Sequence, residues 1–451
     1  MKGAPPELPG SKTVESPIDR ALSLALAGER EAALRWAAGI VQADPTAPSG
    51  LLLAGRLLAE SARNEVAREA FEVCIGRAID AGILPLAVAA CSDLRRLGQD
   101  SSKHLDDIAD AFSKTSTRLG EGSAPPPPLR GAEDFHPLPS VLTGMALLNK
   151  ATAIVRDARK TWKEAEDEVV PMISPQPLFS SIGRAGLRRM IEVFEVQTIP
   201  KDHKVIVQGE AGAEAYIVAR GELEVVREQE EGEPVVLARL NNGALFGEMA
   251  LLSRAPRAAS VVACKPSIVL MARKEDLDRV ASEEPEVGVE LAAYTRRRMV
   301  QNLVRTSRVL ASVDPNERTA LVERFVTRTY EKGENLVVEG EPAQGLHLIA
   351  SGEVAVVRQD GDETLVIATL GPGDTIGEVS LVLRRWSAAN VVAVHPTITL
   401  FLPKSDFLDL IEHHPLLLAQ LYHLAVHRDD ETSSIASQDA VTAEGDDFIL
   451  L

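Results

Sequence analysis

The chain has 451 residues and a formal net charge of −18. This length is too great for a single hydrophobic core, so we expect about two to four domains. The acidic charge argues against a general affinity for nucleic acid or for anionic membranes, because both need a basic surface.

The first predicted element is a helical array over residues 16–117, where Ala, Leu and Val recur three and four residues apart. The segment GEREAALRWAAGIVQADP resembles the second half of a tetratricopeptide unit, with Gly28 and Pro45 at the expected positions. One repeat period later, Ala67 and Phe71 stand at matching positions. The resemblance implies a docking surface for a protein partner; the alternative is a helical cap that packs on the rest of the chain.

A linker is predicted at residues 118–140, because its run of prolines at 125–128 favours an extended, semi-rigid conformation. Residues 141–175 return to helical periodicity and are predicted to form a connecting helix. At the other end of the chain, residues 431–451 are rich in Asp and Glu, and we expect an acidic tail without a stable fold.

Residues 176–305 hold alternating apolar runs interrupted by glycines, as short strands and tight turns require. Their most informative stretch is Phe246–Ser260 (FGEMALLSRAPRAAS), the first cassette. Gly247 lets the backbone turn sharply and approach a ligand. Glu248 can accept hydrogen bonds from a sugar hydroxyl, and Arg257 offers a planar fork for two phosphate oxygens. The first cassette therefore predicts a site for a molecule that carries both a ribose hydroxyl and a phosphate.

The first cassette resembles the phosphate-binding cassette of the cyclic-nucleotide-binding domain family. That family includes domains of the regulatory subunits of cyclic-AMP-dependent protein kinase and of bacterial cyclic-AMP receptor proteins. The resemblance implies a β-roll over residues 176–305, with Glu248 on the ribose 2′-hydroxyl and Arg257 on the cyclic phosphate. It implies the following ligand-binding residues: Phe246, Gly247, Glu248, Met249, Ala250, Arg257, Ala258, Ala259 and Ser260. By the same resemblance, Ala258 favours cyclic AMP as the ligand over cyclic GMP.

Residues 306–430 repeat this pattern, which predicts a second β-roll domain with its own cassette. The second cassette is Ile376–Asn390 (IGEVSLVLRRWSAAN), in which Gly377 and Glu378 match the glycine and glutamate of the first. Nine residues after Glu378 stands Ser387, where the first cassette has an arginine.

Without that arginine, the second domain lacks a charge-assisted partner for a cyclic phosphate, and we expect weak or no binding of ordinary cyclic nucleotides there. The residues of any weak second site are Gly377, Glu378, Ser387 and Ala388. Two alternatives stay open: Arg385 turns inward to supply the missing cation, or the site takes an uncharged, nucleoside-like ligand. We favour a structural and allosteric role for this domain.

The predicted fold class is therefore α+β and multidomain: an N-terminal α-helical, repeat-like region followed by two β-roll (jelly-roll-like) domains with flanking helices. We expect a cytoplasmic sensor of cyclic AMP or cyclic GMP that relays its signal through the helices around residues 275–308. Within these helices, Arg296–Arg298 is predicted to lie on a solvated face, with recognition of an acidic partner or a phosphate as the alternative. One alternative is an interaction scaffold whose rolls bind no nucleotide. The other is a kinase inhibitor, although the nearest segment to a pseudosubstrate is the poor match Ala158–Thr161 (ARKT).

Other function classes find little support in the sequence. A DNA-binding regulator needs a helix-turn-helix after the roll, and the short acidic remainder argues against one and against DNA as a partner. No catalytic residues, metal ligands or Walker loop stand out, so we expect neither an enzyme nor a metal. No stretch approaches the roughly twenty apolar residues of a membrane span, and the three cysteines are widely separated, as in a reducing compartment. Self-association stays open.

Overall fold

The computed structural model describes residues 15–120, 135–164, 171–228, 234–252, 256–307, 309–310, 313–314, 318, 321–360 and 363–429. The predicted acidic tail and the proline run of the linker lie outside these residues. The chain divides into two compact units. The first comprises residues 1–207, 214–246 and 260–291, and the second comprises residues 208–213, 247–259 and 292–451.

The N-terminal part of the first unit is helical. Its helices are α1 (Pro17–Leu26), α2 (Arg30–Ala43), α3 (Pro48–Glu60), α4 (Asn64–Asp80), α5 (Leu84–Arg96), α6 (Ser102–Phe112) and α7 (Gly144–Glu164). Ser16 caps α1 by accepting a hydrogen bond from the backbone N–H of Asp19 at 3.2 Å. The turn after α1 places Gly28 at φ 80°, and the matching turn after α3 places Ala62 at φ 58°. The second turn therefore keeps the left-handed backbone of the first without a glycine, at a cost of about 1–2 kcal/mol.

One face of the helical array contacts the strands of the first unit. Asp19 of α1 pairs with Arg220 at 2.5 Å, and both side chains are nearly buried. Arg56 of α3 donates to Asp93 at 2.5 Å and to Thr198 Oγ1 at 3.2 Å. The helical-cap alternative predicts this kind of packing for the face.

The strands of the first unit form a roll of two four-stranded antiparallel sheets, with orders β1-β8-β3-β6 and β2-β7-β4-β5. They are β1 (Glu195–Ile199), β2 (Lys204–Ile206), β3 (Glu214–Arg220), β4 (Leu223–Arg227), β5 (Val235–Leu240), β6 (Leu245–Phe246), β7 (Ser260–Ala263) and β8 (Ser267–Arg273). Helices α8 (Arg184–Glu192), α9 (Met249–Leu252), α10 (Lys274–Glu283) and α11 (Pro285–Thr306) accompany this first roll in the sequence. Its interior is apolar, with Val218, Phe246 and Val269 in one cluster.

The second roll repeats this topology inside the second unit, with sheet orders β9-β16-β11-β14 and β10-β15-β12-β13. Its strands are β9 (Val326–Tyr330), β10 (Asn335–Val337), β11 (Gly345–Ser351), β12 (Val354–Asp360), β13 (Glu363–Leu370), β14 (Thr375–Ile376), β15 (Asn390–Ala393) and β16 (Thr397–Pro403). Its helices are α12 (Glu378–Val382), α13 (Lys404–His413) and α14 over residues 415–429. The predicted fold class, N-terminal helices followed by two β-roll domains with flanking helices, is confirmed.

A histidine is buried in the second roll. His347 lies on β11 and is 3% exposed, with its Nδ1 3.1 Å from Thr399 Oγ1 and its ring 4.6 Å from that of Phe401. Burial lowers the pKa of His347 to about 3, and the positive charge of Arg328 acts in the same direction. The imidazole is therefore neutral throughout the physiological pH range.

Candidate functional site

The first cassette begins where strand β6 ends at a left-handed turn. Phe246 is buried, and its ring stacks on Tyr216 with 5.2 Å between centroids. Gly247 follows at φ 74°, a conformation that costs most other residues about 1–2 kcal/mol. This turn passes the chain directly from β6 to α9 and places Glu248 between them.

Glu248 is the buried acid of the first cassette. Its side chain is only 5% exposed, and its Oε1 lies 3.7 Å from Nε of Arg298 on α11. Burial raises the pKa of Glu248, because an ionised carboxylate loses its hydration there, and the positive charge of Arg298 opposes that rise. Assigning Arg298 to a solvated face was therefore wrong, since this residue pairs with the glutamate.

Arg257 is held by backbone on two sides. Its Nη1 donates to the carbonyl oxygen of Gly247 at 3.0 Å. Its main chain pairs with the turn that precedes β3, because Gly209 N–H donates to Arg257 O and Arg257 N–H donates to Glu210 O, both at 2.9 Å. The guanidinium also lies directly against Gly212, where an added Cβ would stand 2.4 Å from Nε. The guanidinium of Arg257 thus occupies a space that a side chain at position 212 would fill.

The remaining residues expected at this site fall into two groups. Met249 is half-buried against an apolar cluster that includes Met299, Leu303 and Phe325, and Ala250 is buried. Ala258 is exposed, Ala259 is half-buried, and Ser260 is buried at the start of β7. The apolar side of α9 therefore anchors the cassette, while the small residues after Arg257 leave its main chain accessible.

The second cassette keeps the acid. Gly377 repeats the left-handed turn at φ 92°, and the side chain of Glu378 is 2% exposed. Its Oε1 accepts a hydrogen bond from Arg428 Nη1 at 2.5 Å, and the same Nη1 donates to the carbonyl oxygen of Thr375 at 2.6 Å. In both cassettes the glutamate pairs with an arginine 50 residues further along the chain. This shared spacing is the sequence signal by which Arg298 and Arg428 are recognisable.

The second cassette has a serine in the position of the arginine. Gly340 N–H donates to Ser387 O at 2.8 Å and Ser387 N–H donates to Glu341 O at 2.9 Å, which repeats the pairing of Arg257. Ser387 is buried, and its Oγ lies 3.2 Å from Ser380 Oγ. Ala388, which follows, is exposed. The second domain therefore presents a hydroxyl where the first presents a guanidinium.

Arg385 is the cation that could replace the missing arginine only by turning inward. In the structure its side chain is 60% exposed and pairs with Asp429 of α14 at 2.7 Å. An inward turn of Arg385 would break this ion pair.

The family assignment agrees with this geometry. Residues 196–284 and 327–414 each match the cyclic nucleotide-binding domain family. The chain therefore contains two cyclic nucleotide-binding domains in tandem.

The chain also resembles regulatory subunits of cAMP-dependent protein kinase. It is 31% identical over 242 residues to that of Colletotrichum orbiculare, which covers 52% of this chain and 60% of the relative. It is 30% identical over 259 residues to that of Pyricularia oryzae, covering 55% of this chain and 64% of the relative. With the type II subunit of Drosophila melanogaster it shares 28% over 255 residues, covering 56% and 63%. The chain thus matches less than two thirds of each relative's length.

Two solved structures are similar to parts of this chain at low TM-scores. The regulatory domain of Toxoplasma gondii PKA with cAMP is 25% identical and covers 55% of this chain and 92% of that one, at a TM-score of 0.28. The Catabolite Activator Protein of Thermus thermophilus is 32% identical and covers 28% and 59%, at a TM-score of 0.26.

The described part of the chain has neither a membrane-spanning helix nor a cluster of metal ligands. None of its helices is both long and apolar enough to cross a membrane. Among the same residues, no group of three or more His, Cys, Asp and Glu side chains is arranged to hold a metal ion.

Proposed function

We propose that this chain is a cytoplasmic, cyclic-nucleotide-binding regulatory protein whose first domain binds cyclic AMP. The observation that carries the proposal is that the first cassette contains both a buried acid, Glu248, and a cation held by backbone contacts, Arg257. The second cassette keeps only the acid. The kinase regulatory subunits to which the chain is similar support the same ligand class.

The two side chains suit the two ends of the ligand. Arg257 presents a planar fork to the cyclic phosphate, with the positive charge that a desolvated phosphate needs. Glu248 accepts a hydrogen bond from the ribose 2′-hydroxyl, and its burial strengthens that bond because competing water is excluded. The backbone amides of Gly247 and Ala259 supply further donors. The nucleotide is thus recognised through its ribose and phosphate.

The cassette also has a route for passing on the binding event. Glu248 pairs with Arg298 on α11, and Met249 packs against the apolar cluster to which Met299, Val300 and Leu303 of the same helix belong. A ribose hydroxyl that donates a hydrogen bond to Glu248 competes with Arg298 for the same carboxylate. Ligand binding therefore weakens the Glu248–Arg298 ion pair. Binding then shifts the population of α11 conformations by as much as the ligand prefers one over the other.

The second domain is proposed as the recipient of this signal. Its Glu378 already has a short hydrogen bond to Arg428, and Ser387 offers no positive charge to a phosphate. A cyclic nucleotide would have to be desolvated there without a charge-assisted partner, which costs several kcal/mol in comparison with the first cassette.

Kinase inhibition of the pseudosubstrate kind is not favoured. The nearest segment, Ala158–Thr161, lies within α7, and its Arg159 is engaged by Glu69 and Glu72. We propose instead that a protein partner binds the N-terminal helical region.

Isothermal titration calorimetry with cyclic AMP and cyclic GMP tests the ligand assignment. The wild type should bind cyclic AMP at one site per chain. Arg257→Ala should weaken binding on the order of 100-fold, since a charge-assisted hydrogen bond worth about 3 kcal/mol is lost. Arg279→Ala removes an exposed arginine whose ion pair within the described part of the chain is a local one with Asp276, and it serves as the matched control. Equal binding by Arg257→Ala and the wild type would refute the site, and no heat from any variant would favour the scaffold alternative.

A further inference from the structure

Helix α7 lies against the helical array, where it contacts α2, α3 and α4. It begins with Gly144 N–H donating to Glu31 Oε1 at 2.9 Å, which ties its first turn to α2. Its inner side is an apolar stripe of buried residues, Leu147, Ala151, Ile154, Val155 and Ala158. The face of the array made by α2 and α4 therefore holds an amphipathic helix.

Two acidic residues of α4 form ion pairs with two arginines of this helix. Glu69, whose side chain is 9% exposed, accepts Arg159 Nη1 at 3.0 Å and Arg156 Nε at 3.4 Å. Glu72 accepts Arg159 Nη2 at 3.2 Å. Because Arg156 and Arg159 are three residues apart, they lie on one side of α7 and reach the same carboxylates.

A glycine on the same face receives an aromatic ring. A Cβ added at Gly76 would stand 2.3 Å from Cζ2 of Trp162. A glycine inside a helix costs about 1 kcal/mol in comparison with alanine, so α4 sacrifices stability where the indole lies. The face thus has three features that match α7: it covers the apolar stripe of the helix, it provides two acids for the arginines, and it leaves space for the aromatic ring.

Two buried polar atoms of α7 lack a hydrogen-bond partner among the described residues. They are Thr152 Oγ1 and Arg159 Nε. Each such group costs about 1–3 kcal/mol. The ion pairs that hold the C-terminal half of α7 are also partly exposed, so salt weakens them.

We infer that the face formed by α2 and α4 is a docking surface for an amphipathic helix of a protein partner, and that α7 is its intramolecular occupant. The partner helix has the chemistry of α7: an apolar stripe, two arginines three residues apart, and an aromatic residue three positions further on. The inference rests on the partner-binding part of the proposed function and is independent of nucleotide binding.

The test uses the full chain and a fluorescein-labelled peptide of residues 141–164. In the wild type, α7 competes from within the chain, so the peptide should bind at least about tenfold more weakly than to the variant Arg156→Glu/Arg159→Glu. Lys160→Glu is the matched control, because Lys160 is 74% exposed and its ion pair, among the residues that the structure describes, is with Glu164 of its own helix. This control should behave as the wild type does.

Two further variants locate the binding face. Adding Gly76→Ala to the double variant should abolish peptide binding without loss of helical circular dichroism, since alanine closes the slot for the ring and favours α4. A peptide carrying glutamate at both arginine positions should not bind any form. A folded double variant that ignores the wild-type peptide overturns the inference. A wild-type dimer that the peptide dissociates overturns the assignment to another protein, because a second copy is then the occupant.

Hydrogen exchange on the wild type decides the matter even if the double variant fails to fold. The amides of α7 should exchange faster than those of α3, through local release. Equal protection means that α7 leaves only when the array unfolds, and the inference then fails. Calorimetry with cyclic AMP on the same samples reports separately on the nucleotide site, so a failure of one proposal is distinguishable from a failure of the other.

Discussion

The substitution Gly212→Ala tests the position of the Arg257 guanidinium without changing any residue of the first cassette. The added Cβ would stand 2.4 Å from Nε, 2.5 Å from Nη2 and 2.7 Å from Cζ of the arginine. Ordinary contact needs roughly 3.5 Å, so the guanidinium has to withdraw by about 1 Å. The backbone at Gly212 is not left-handed, and alanine is therefore accepted without strain.

The expected effect falls on binding and leaves stability intact. A shift of about 1 Å weakens, without removing, the fork that we propose holds the phosphate, so we expect a loss of about 2 kcal/mol, or roughly thirtyfold in Kd, which is smaller than the loss in Arg257→Ala. The free energy of unfolding should stay the same or rise by a few tenths of a kcal/mol, because alanine restricts the unfolded chain.

Calorimetric titration with cyclic AMP and urea denaturation measure the two quantities. Gly371→Ala is the matched control, since Gly371 is also outside the left-handed region and an added Cβ there meets nothing within 4 Å. Unchanged affinity in Gly212→Ala, together with weakened affinity in Arg257→Ala, would refute the argument that Gly212 positions the arginine.

Three further outcomes concern the second roll. Ser387→Arg restores the cation at the matching position and should create a second calorimetric binding event; silence would show that more than the missing charge blocks the site. Arg428→Ala leaves the buried carboxylate of Glu378 without its ion-pair partner. It should lower the free energy of unfolding, measured by urea denaturation, by about 3–5 kcal/mol. Arg385→Ala breaks an exposed ion pair and should lower the same free energy by less than about 1 kcal/mol. His347, neutral when folded, takes a proton near pH 6.5 once unfolded, so this group should remove about 2 kcal/mol of stability between pH 7 and pH 5. His347→Gln should lack that loss, and an equal pH dependence in the variant would contradict it.

The sequence predicts the features whose partners are close in the chain. The glycine, the glutamate and the arginine of the first cassette span only eleven residues, from Gly247 to Arg257, so their spacing alone indicates their chemistry. The same spacing shows that Ser387 replaces the arginine, and the backbone pairing of the structure agrees. The two rolls are predictable for the same reason, because alternating apolar runs and turn glycines are local signals.

Long-range partners were not predictable in this way. The Glu248–Arg298 pair depends on the direction that α11 takes after the roll, and the 50-residue spacing that it shares with the Glu378–Arg428 pair becomes a signal only once one of the two pairs is known. The periodicity of residues 141–175 indicated a helix and an apolar stripe, but not that α2 and α4 would cover the stripe. The ion pair between Arg159 and Glu69 was likewise not predictable, because the two residues are ninety positions apart in the chain.

The position of Arg298 has a practical consequence for dissecting the protein. The segment that matches the domain family ends at residue 284, and Arg298 lies beyond it. A fragment cut at that boundary would keep Glu248 and Arg257, yet it would lose the guanidinium beside Glu248 and the apolar neighbours of Met249. Weak nucleotide binding by such a fragment would report on the cut. A fragment meant to test the first cassette therefore has to include α11, which carries Arg298.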